Sequence, residues 1–197
     1  MKGYKKIAFI GLLSTWLIGC ASSEMPTSKE YLLLDTSLVN AQTVSTESQP
    51  IQLMPVVVAN YLAGNEIVLI SQQGVVHRSQ NNLWAEPLSA QLTRLTQQRL
   101  EKTLPSLTWF GGQRLPAYAI AQLNIDVDKF YADLEGKVHL SGRWQLISAT
   151  GEIAASHTFT TQRRLASDGY TSLVQTLSSA WFDDVMTPMS KAIAEAL

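Results

Sequence analysis

The chain has 197 residues, 46% of them hydrophobic, with 15 basic and 16 acidic side chains. That length suits one ordinary domain, and that apolar fraction is enough to bury a core. The charge balance excludes a general attraction to nucleic acid or to anionic lipid, and a single cysteine excludes an internal disulfide.

Lys2, Lys5 and Lys6 form a positively charged segment ahead of an apolar stretch from Ile7 to Ile18. About a dozen apolar residues suit a signal peptide and fall short of the ~20 a bilayer span needs. The stretch ends in Leu17-Ile18-Gly19-Cys20, which resembles the lipobox of bacterial lipoproteins, a small residue before the cut and a cysteine after it. The resemblance implies cleavage before Cys20, a diacylglycerol on its thiol, and an acyl chain such as palmitate on the new amino terminus. One acyl chain holds a protein only marginally, at about 0.8 kcal/mol per buried CH₂, whereas several on one residue make a stable tether. An uncleaved anchor helix is the competing reading, and it leaves the only thiol without a role. Ala21 follows, where lipoproteins kept in the inner membrane carry aspartate, so the pattern resembles outer-membrane sorting. Cleavage removes three basic residues and no acidic one, leaving a net charge of about −4. The expected organisation is a signal peptide over 1–19, a lipidated tether over 20–30, and a single domain over 31–197.

Ala21 to Glu30 is small and polar, as a tether requires. Tyr31-Leu32-Leu33-Leu34 predicts a first strand ended by Asp35, and the polar stretch from Thr36 to Pro50 a loop. Ile51 to Val58 predicts a second strand in which Pro55 lacks a ladder donor, marking an edge or a bulge. Glu66 to Ile70 predicts a third, apolar on both faces as a covered strand is, with a weaker one from Val75 to Arg78.

Pro87 opens a helix carrying Leu88, Leu92 and Leu95 on one stripe and Leu100 and Leu104 further round, with Pro105 as its stop. The second half alternates with period two: Ala121, Leu123, Ile125 and Val127, then Val138, Leu140 and Trp144, then Ile153, Ala155 and Phe159. Turn residues separate these runs, so three antiparallel strands form a meander. Ser167 to Leu197 predicts a helix with Tyr170, Leu173, Val174, Leu177 and Trp181 on one side, Ser167 or Asp168 as N-cap, and a kink or split at Pro188. The fold class expected is α+β, a mixed, largely antiparallel sheet with two long helices packed against it.

Chemistry-bearing patterns are sparse. His77, His139 and His157 fall in separate predicted strands without a second ligand at metal spacing, and His139 is placed on a solvent-facing side. Asp126, Asp128, Asp133 and Glu135 lack the regular oxygen-ligand loop of a calcium site, and read as a wet strand face running into a turn. The sequence has neither a G-x-S-x-G elbow nor a P-loop. No catalytic residue, no metal site and no cofactor beyond the lipid on Cys20 is therefore expected. Trp84 is read as a core anchor at a strand-to-helix corner, Glu86 as a cap and Pro87 as the helix start, with a partner-binding role for the three as the alternative. Trp109 and Tyr118 are candidates for a surface groove.

Leu83-Trp84-Ala85-Glu86-Pro87-Leu88, preceded by Pro55-Val56-Val57-Val58-Ala59-Asn60-Tyr61-Leu62 and Glu66-Ile67-Val68, stands in the same order as the lipobox and Tyr31-Leu32-Leu33-Leu34. This order resembles the ABC-type transport auxiliary lipoprotein family of PqiC/YmbA-type proteins, over nearly all of the chain after the signal peptide. Members usually carry Asp-Arg-Pro-Gln before the Ile-Val pair; Ala63-Gly64-Asn65-Glu66 stands here, so that loop's contacts are expected to differ. The resemblance implies a periplasm-facing, outer-membrane-anchored docking element for an MCE-domain protein of an envelope-spanning lipid transport system. Such a partner is oligomeric, so a ring of copies of this chain is implied as well. A carrier holding a lipid between sheet and helix is the first alternative, and a hydrolase the second.

Overall fold

The computed structural model describes residues 27–36, 49–111 and 118–197. In chain order the elements are β1 (Lys29–Tyr31), β2 (Gln49–Leu53), β3 (Val57–Val58), β4 (Glu66–Ile70), β5 (Val76–Trp84), α1 (Leu88–Thr103), β6 (Leu107–Gly111), β7 (Ala121–Asp133), β8 (Lys137–Ile147) and β9 (Ile153–Arg164). A C-terminal helical run follows, built of α2 (Tyr170–Ser179), a π-helical stretch Ala180–Met186 and α3 (Thr187–Ala196). The signal peptide, Cys20, Ala21 and most of the predicted tether and loop lie outside the described residues.

Period-two alternation makes β7 the organiser of the sheet. Ala121, Leu123, Ile125 and Val127 are buried, and beyond Asp128 the phase shifts so that Phe130 and Ala132 point inward instead. The shift coincides with a bulge in the β7–β8 ladder between Val127 and Lys129, where one extra residue resets which face is buried. One edge of β7 pairs with β8, and β8 with β9, all antiparallel. The other edge takes three short parallel partners in turn, β2 at Ala121–Leu123, β3 at Asp126–Val127 and β4 at Ala132–Asp133. Outside these lie β6, parallel to β2, and β5 with β1 on its far side. The class is α+β with a mixed sheet. The antiparallel character expected of the whole holds for the meander and the β4–β5 hairpin, because β2, β3 and β4 all meet the same β7 edge in parallel.

Pro55 splits the strand predicted over Ile51–Val58. Between β2 and β3 the chain leaves β7, and α1 supplies the missing partners: Thr93 Oγ1 accepts from the Val56 amide at 2.8 Å, and the Ser89 hydroxyl donates to the Val56 carbonyl. Both backbone polar groups of the buried Val56 are thereby paired. The first predicted strand also shortens. Only Tyr31 of the expected run belongs to β1; Leu33 turns inward, its amide donating to Gln91 Oε1 at 2.9 Å, and the Leu34 amide donates to Ser178 Oγ at 3.2 Å. In contrast β5 extends beyond Arg78 to Trp84, bowing out opposite β4 where the register jumps between Glu66 and Val68.

Helix α1 buries the predicted stripe of Leu88, Leu92 and Leu95, and Leu100 further round, and stops before Pro105. At the other helical run the N-cap is Gly169, with φ 106° and no side-chain cap, in place of Ser167 or Asp168. Ser167 instead donates its amide to Ser172 Oγ. The expected break at Pro188 is resolved by widening: proline has no N–H for the next α-helical bond, and the preceding turn is π-helical, with the Thr187 amide bonding to the Phe182 carbonyl. Trp181, Phe182, Val185, Met186 and Met189 stay in the core across it.

Candidate functional site

The strand-to-helix corner is set by Trp84 at the end of β5. Its ring is buried against Phe130 at 6.3 Å, and Phe130 in turn meets Trp181 at 6.3 Å, with Phe159 6.0 Å beyond. This aromatic row ties β5, β7, β9 and the C-terminal helical run together. Glu86 does not cap α1 and Pro87 is not inside it. Pro87 occupies the cap position without a side-chain bond, while Glu86 pairs with Arg94 at 3.1 Å and its carbonyl accepts from Gln91 Nε2. A shallow depression beside the corner is lined by Pro55, Pro87, Ala90, Thr93 and Arg94. Trp109, one of the two groove candidates, is buried where β6 pairs with β2, opposite Ile51. Tyr118 is exposed and helps line a cavity of about 280 Å³ with Ile120, Gln122 and Ile147 at the end of the sheet where β7 begins.

The ionisable residues resolve into separate pairs. Asp126 takes Arg143 Nε at 2.9 Å, and the Asp128 carbonyl accepts from the Tyr61 hydroxyl at 2.7 Å. Burial, then the neighbouring Tyr131 and Asp128, push the Tyr61 hydroxyl up to about 12. His139 is not free in solvent as expected: it stacks on Tyr131 and meets Asp133 Oδ2 at 2.8 Å. Burial works against the Asp133 carboxylate, but His139 and the amides of Lys137 and Glu135 outweigh it and hold its pKa below the usual value. The same balance holds at Asp184, where burial is opposed by hydrogen bonds from Arg163 and Thr161. His157 stacks on Trp144, far along β9 from the others. Among the described residues no three metal-ligating side chains converge, and no helix is long and apolar enough to cross a membrane.

Sequence reasoning missed the pair that holds the N-terminal segment to the domain. Asp35 reaches Arg99 on α1, both carboxylate oxygens standing 2.9 Å from Nη1, and the guanidinium lies over Phe182 at 5.5 Å. Partners 64 positions apart in sequence carried no local signal.

The described residues form a branched mixed sheet with two helical elements and an N-terminal segment clamped between them. A family model described as ABC-type transport auxiliary lipoprotein component matches residues 31–184, and the chain belongs to that family. The intermembrane transport lipoprotein PqiC of Escherichia coli is 33% identical over 175 residues, covering 87% of this chain and 89% of that protein, and the Shigella flexneri protein of the same name matches equally. An uncharacterized protein of known crystal structure superposes with a TM-score of 0.70 at 27% identity, covering 85% of this chain and 99% of the other. Protein XCC0632 from Xanthomonas campestris shares the fold, with a TM-score of 0.62 at 16% identity over 84% and 92% of the two chains. The family is described by a transport role and not by a reaction.

Proposed function

We propose that this chain is the outer-membrane lipoprotein of an envelope-spanning, MCE-type intermembrane lipid transport system. Lipid on Cys20 holds it to the membrane, and the folded domain docks to the periplasmic end of the inner-membrane partner. The observation that carries this reading is the 33% identity, over 87% of the chain, to a protein named as an intermembrane transport lipoprotein. An oligomeric partner favours a matching ring of lipoproteins, since each copy then makes the same contact. Trp84 serves this function as a core residue, and the docking contacts belong to the surface.

The test is crosslinking of the full-length chain in intact envelopes, with an MCE-domain protein as the expected product. Loss of that system should also sensitise cells to detergent. A folded, membrane-bound chain that captures no MCE-domain protein overturns the docking reading. The carrier reading draws on a concavity of about 350 Å³ between β9 and the C-terminal helical run, lined by Trp144, Phe159, Val185 and Met189 but also by the polar His157, Thr160 and Asp184. That volume is near the lower end for ligand sites, about 300–1,000 Å³. Lipid co-purifying in stoichiometric amount with the full chain would put the carrier first.

A further inference from the structure

The direction of β1 points its N-terminal side toward one end of the sheet. β4 and β7 run in parallel to a common end, Leu69 beside Ala132 and Ile70 beside Asp133. β5 returns antiparallel to β4, and β1 runs alongside it in the same sense, Lys29 beside Asn82 and Tyr31 beside Trp84. The chain before Lys29 is therefore directed toward the end where β4 and β7 finish. Lys29 stands nine positions after Cys20, and nine residues span at most about 30 Å. That reach is roughly twice the length of a five-residue strand such as β4.

Two turns close the sheet at this end, one between β4 and β5 and one between β7 and β8. Their left-handed positions are supplied by Gly74 and Gly136, both at φ 81°, so turn geometry asks nothing of the neighbouring apolar side chains. Yet Val75, Val76 and Leu134 are 53%, 40% and 55% exposed there. Behind Leu134, a cavity of about 290 Å³ is lined by Leu69, Leu165, Tyr170 and Leu173.

A second observation concerns charge. Lys137 and Arg164, both exposed, face each other directly across β8 and β9 one step from the turn. Neither takes part in an ion pair among the described residues. Like charges directly opposite are destabilising in an antiparallel pair, and an anionic headgroup relieves that cost. Exposed Glu135 and Asp168 lie at the same end, so the attraction is local to the Lys137–Arg164 pair.

We propose that this end of the domain rests on the lipid surface that holds the anchor. Val75, Val76 and Leu134 enter the headgroup region, Lys137 and Arg164 meet anionic headgroups while their stems lie along the apolar boundary, and the end bearing Tyr118 and Ile153 faces away. A lipid tether alone leaves a domain free to rotate. A second contact fixes the opposite end toward the periplasm, as a docking element requires. The proposal rests on lipid attachment at Cys20.

Once Cys20 is lipidated, a Leu134→Cys chain has a single free thiol. The full-length lipidated variant, labelled with a nitroxide and reconstituted into phosphatidylethanolamine–phosphatidylglycerol vesicles, is compared with Ile153→Cys treated identically. The nitroxide at 134 should collide several-fold less with a water-soluble nickel complex, and more with oxygen, than the one at 153. Replacing phosphatidylglycerol by phosphatidylcholine should weaken that shielding. Equal exposure at 134 and 153 in chains that float with the vesicles overturns the proposal, and shielding indifferent to anionic lipid overturns the role given to Lys137 and Arg164. Flotation and the mass of the N-terminal peptide separate the two readings: a chain without lipid does not float, and the anchor then falls first and this orientation with it.

Discussion

Arg99 is 4% exposed on α1, and its only anionic partner among the described ion pairs is Asp35. The guanidinium edge toward Asp35 is satisfied and one face lies on Phe182, but Nε has no partner. A buried cation so placed depends on its carboxylate, because desolvation is offset only while the counter-charge is present. Asp35→Ala should therefore cost about 3–5 kcal/mol, the usual penalty for leaving one member of a buried pair behind. Urea unfolding of the full chain measures it. Asp35→Leu combined with Arg99→Met should cost clearly less than Asp35→Ala alone; a double variant as unstable as the single one would mean that packing, not charge, holds the segment. Asp35 follows the residues clamped by Gln91 and Ser178, so this pair adds a third fastening between the N-terminal segment and the helices. Alternation and leucine spacing made the buried faces of β7, β8 and α1 legible in advance. A contact between a loop carboxylate and a helix arginine has no period, and nothing in the sequence announced it.

The meander was readable as strands because one face of each was to be buried, yet the bulge at Asp128 was not. A bulge changes phase without changing composition, so residues 121–133 look like one uninterrupted alternation until Lys129 falls where an apolar residue belongs. Gly142 sits opposite Val127 at that irregularity. A Cβ there would run into the backbone carbonyl oxygen of Asp126 and crowd the Phe159 ring. Backbone cannot rotate away as a side chain can, so the glycine is what allows β7 to press against β8 where the phase resets. Gly142→Ala should destabilise by about 1–3 kcal/mol, the range for overpacking a filled site, and thermal unfolding will read it. A variant with unchanged melting temperature would show that the bulge has slack. Strand β6 escaped prediction for a different reason. Leu107-Thr108-Trp109-Phe110-Gly111 has the aromatic and branched residues of a strand, but its position just past Pro105 made it resemble the helix stop, and only its parallel pairing with β2 gives it a place.

Scaled to the whole molecule, the branching of the sheet at β7 decides what holds the two ends together. Parallel pairings join segments distant in sequence, and no local pattern encodes which edge of β7 they take; hence the antiparallel meander was foreseeable and the parallel half was not. The same topology puts two paired carboxylates at separate points of the frame. Asp133 and His139 brace the turn where β7 meets β8, and Asp184 receives Arg163 and Thr161 from β9, fastening that strand to the C-terminal helical run. Both carboxylates have folded-state pKa values below the ordinary 3.8, burial being outweighed by their hydrogen bonds. A group whose pKa is lower in the folded state binds its proton more readily when unfolded, so it adds stability above the unfolded pKa and loses it as pH falls through the folded one. The melting temperature should therefore carry the full contribution of these two groups, unchanged, between pH 7 and about 5, and should fall from about pH 4 downward. Asp184→Asn keeps the side-chain shape and removes the titration. It should lower the melting temperature at neutral pH and flatten the acid decline, since the contribution that acid would have removed is already gone. An acid decline as steep in that variant as in the parent chain would show that the Asp184 carboxylate adds no stability, leaving Phe159 packing on Trp181 and the Arg163 bonds to Ser179 and Asp183 to hold β9 to the helices.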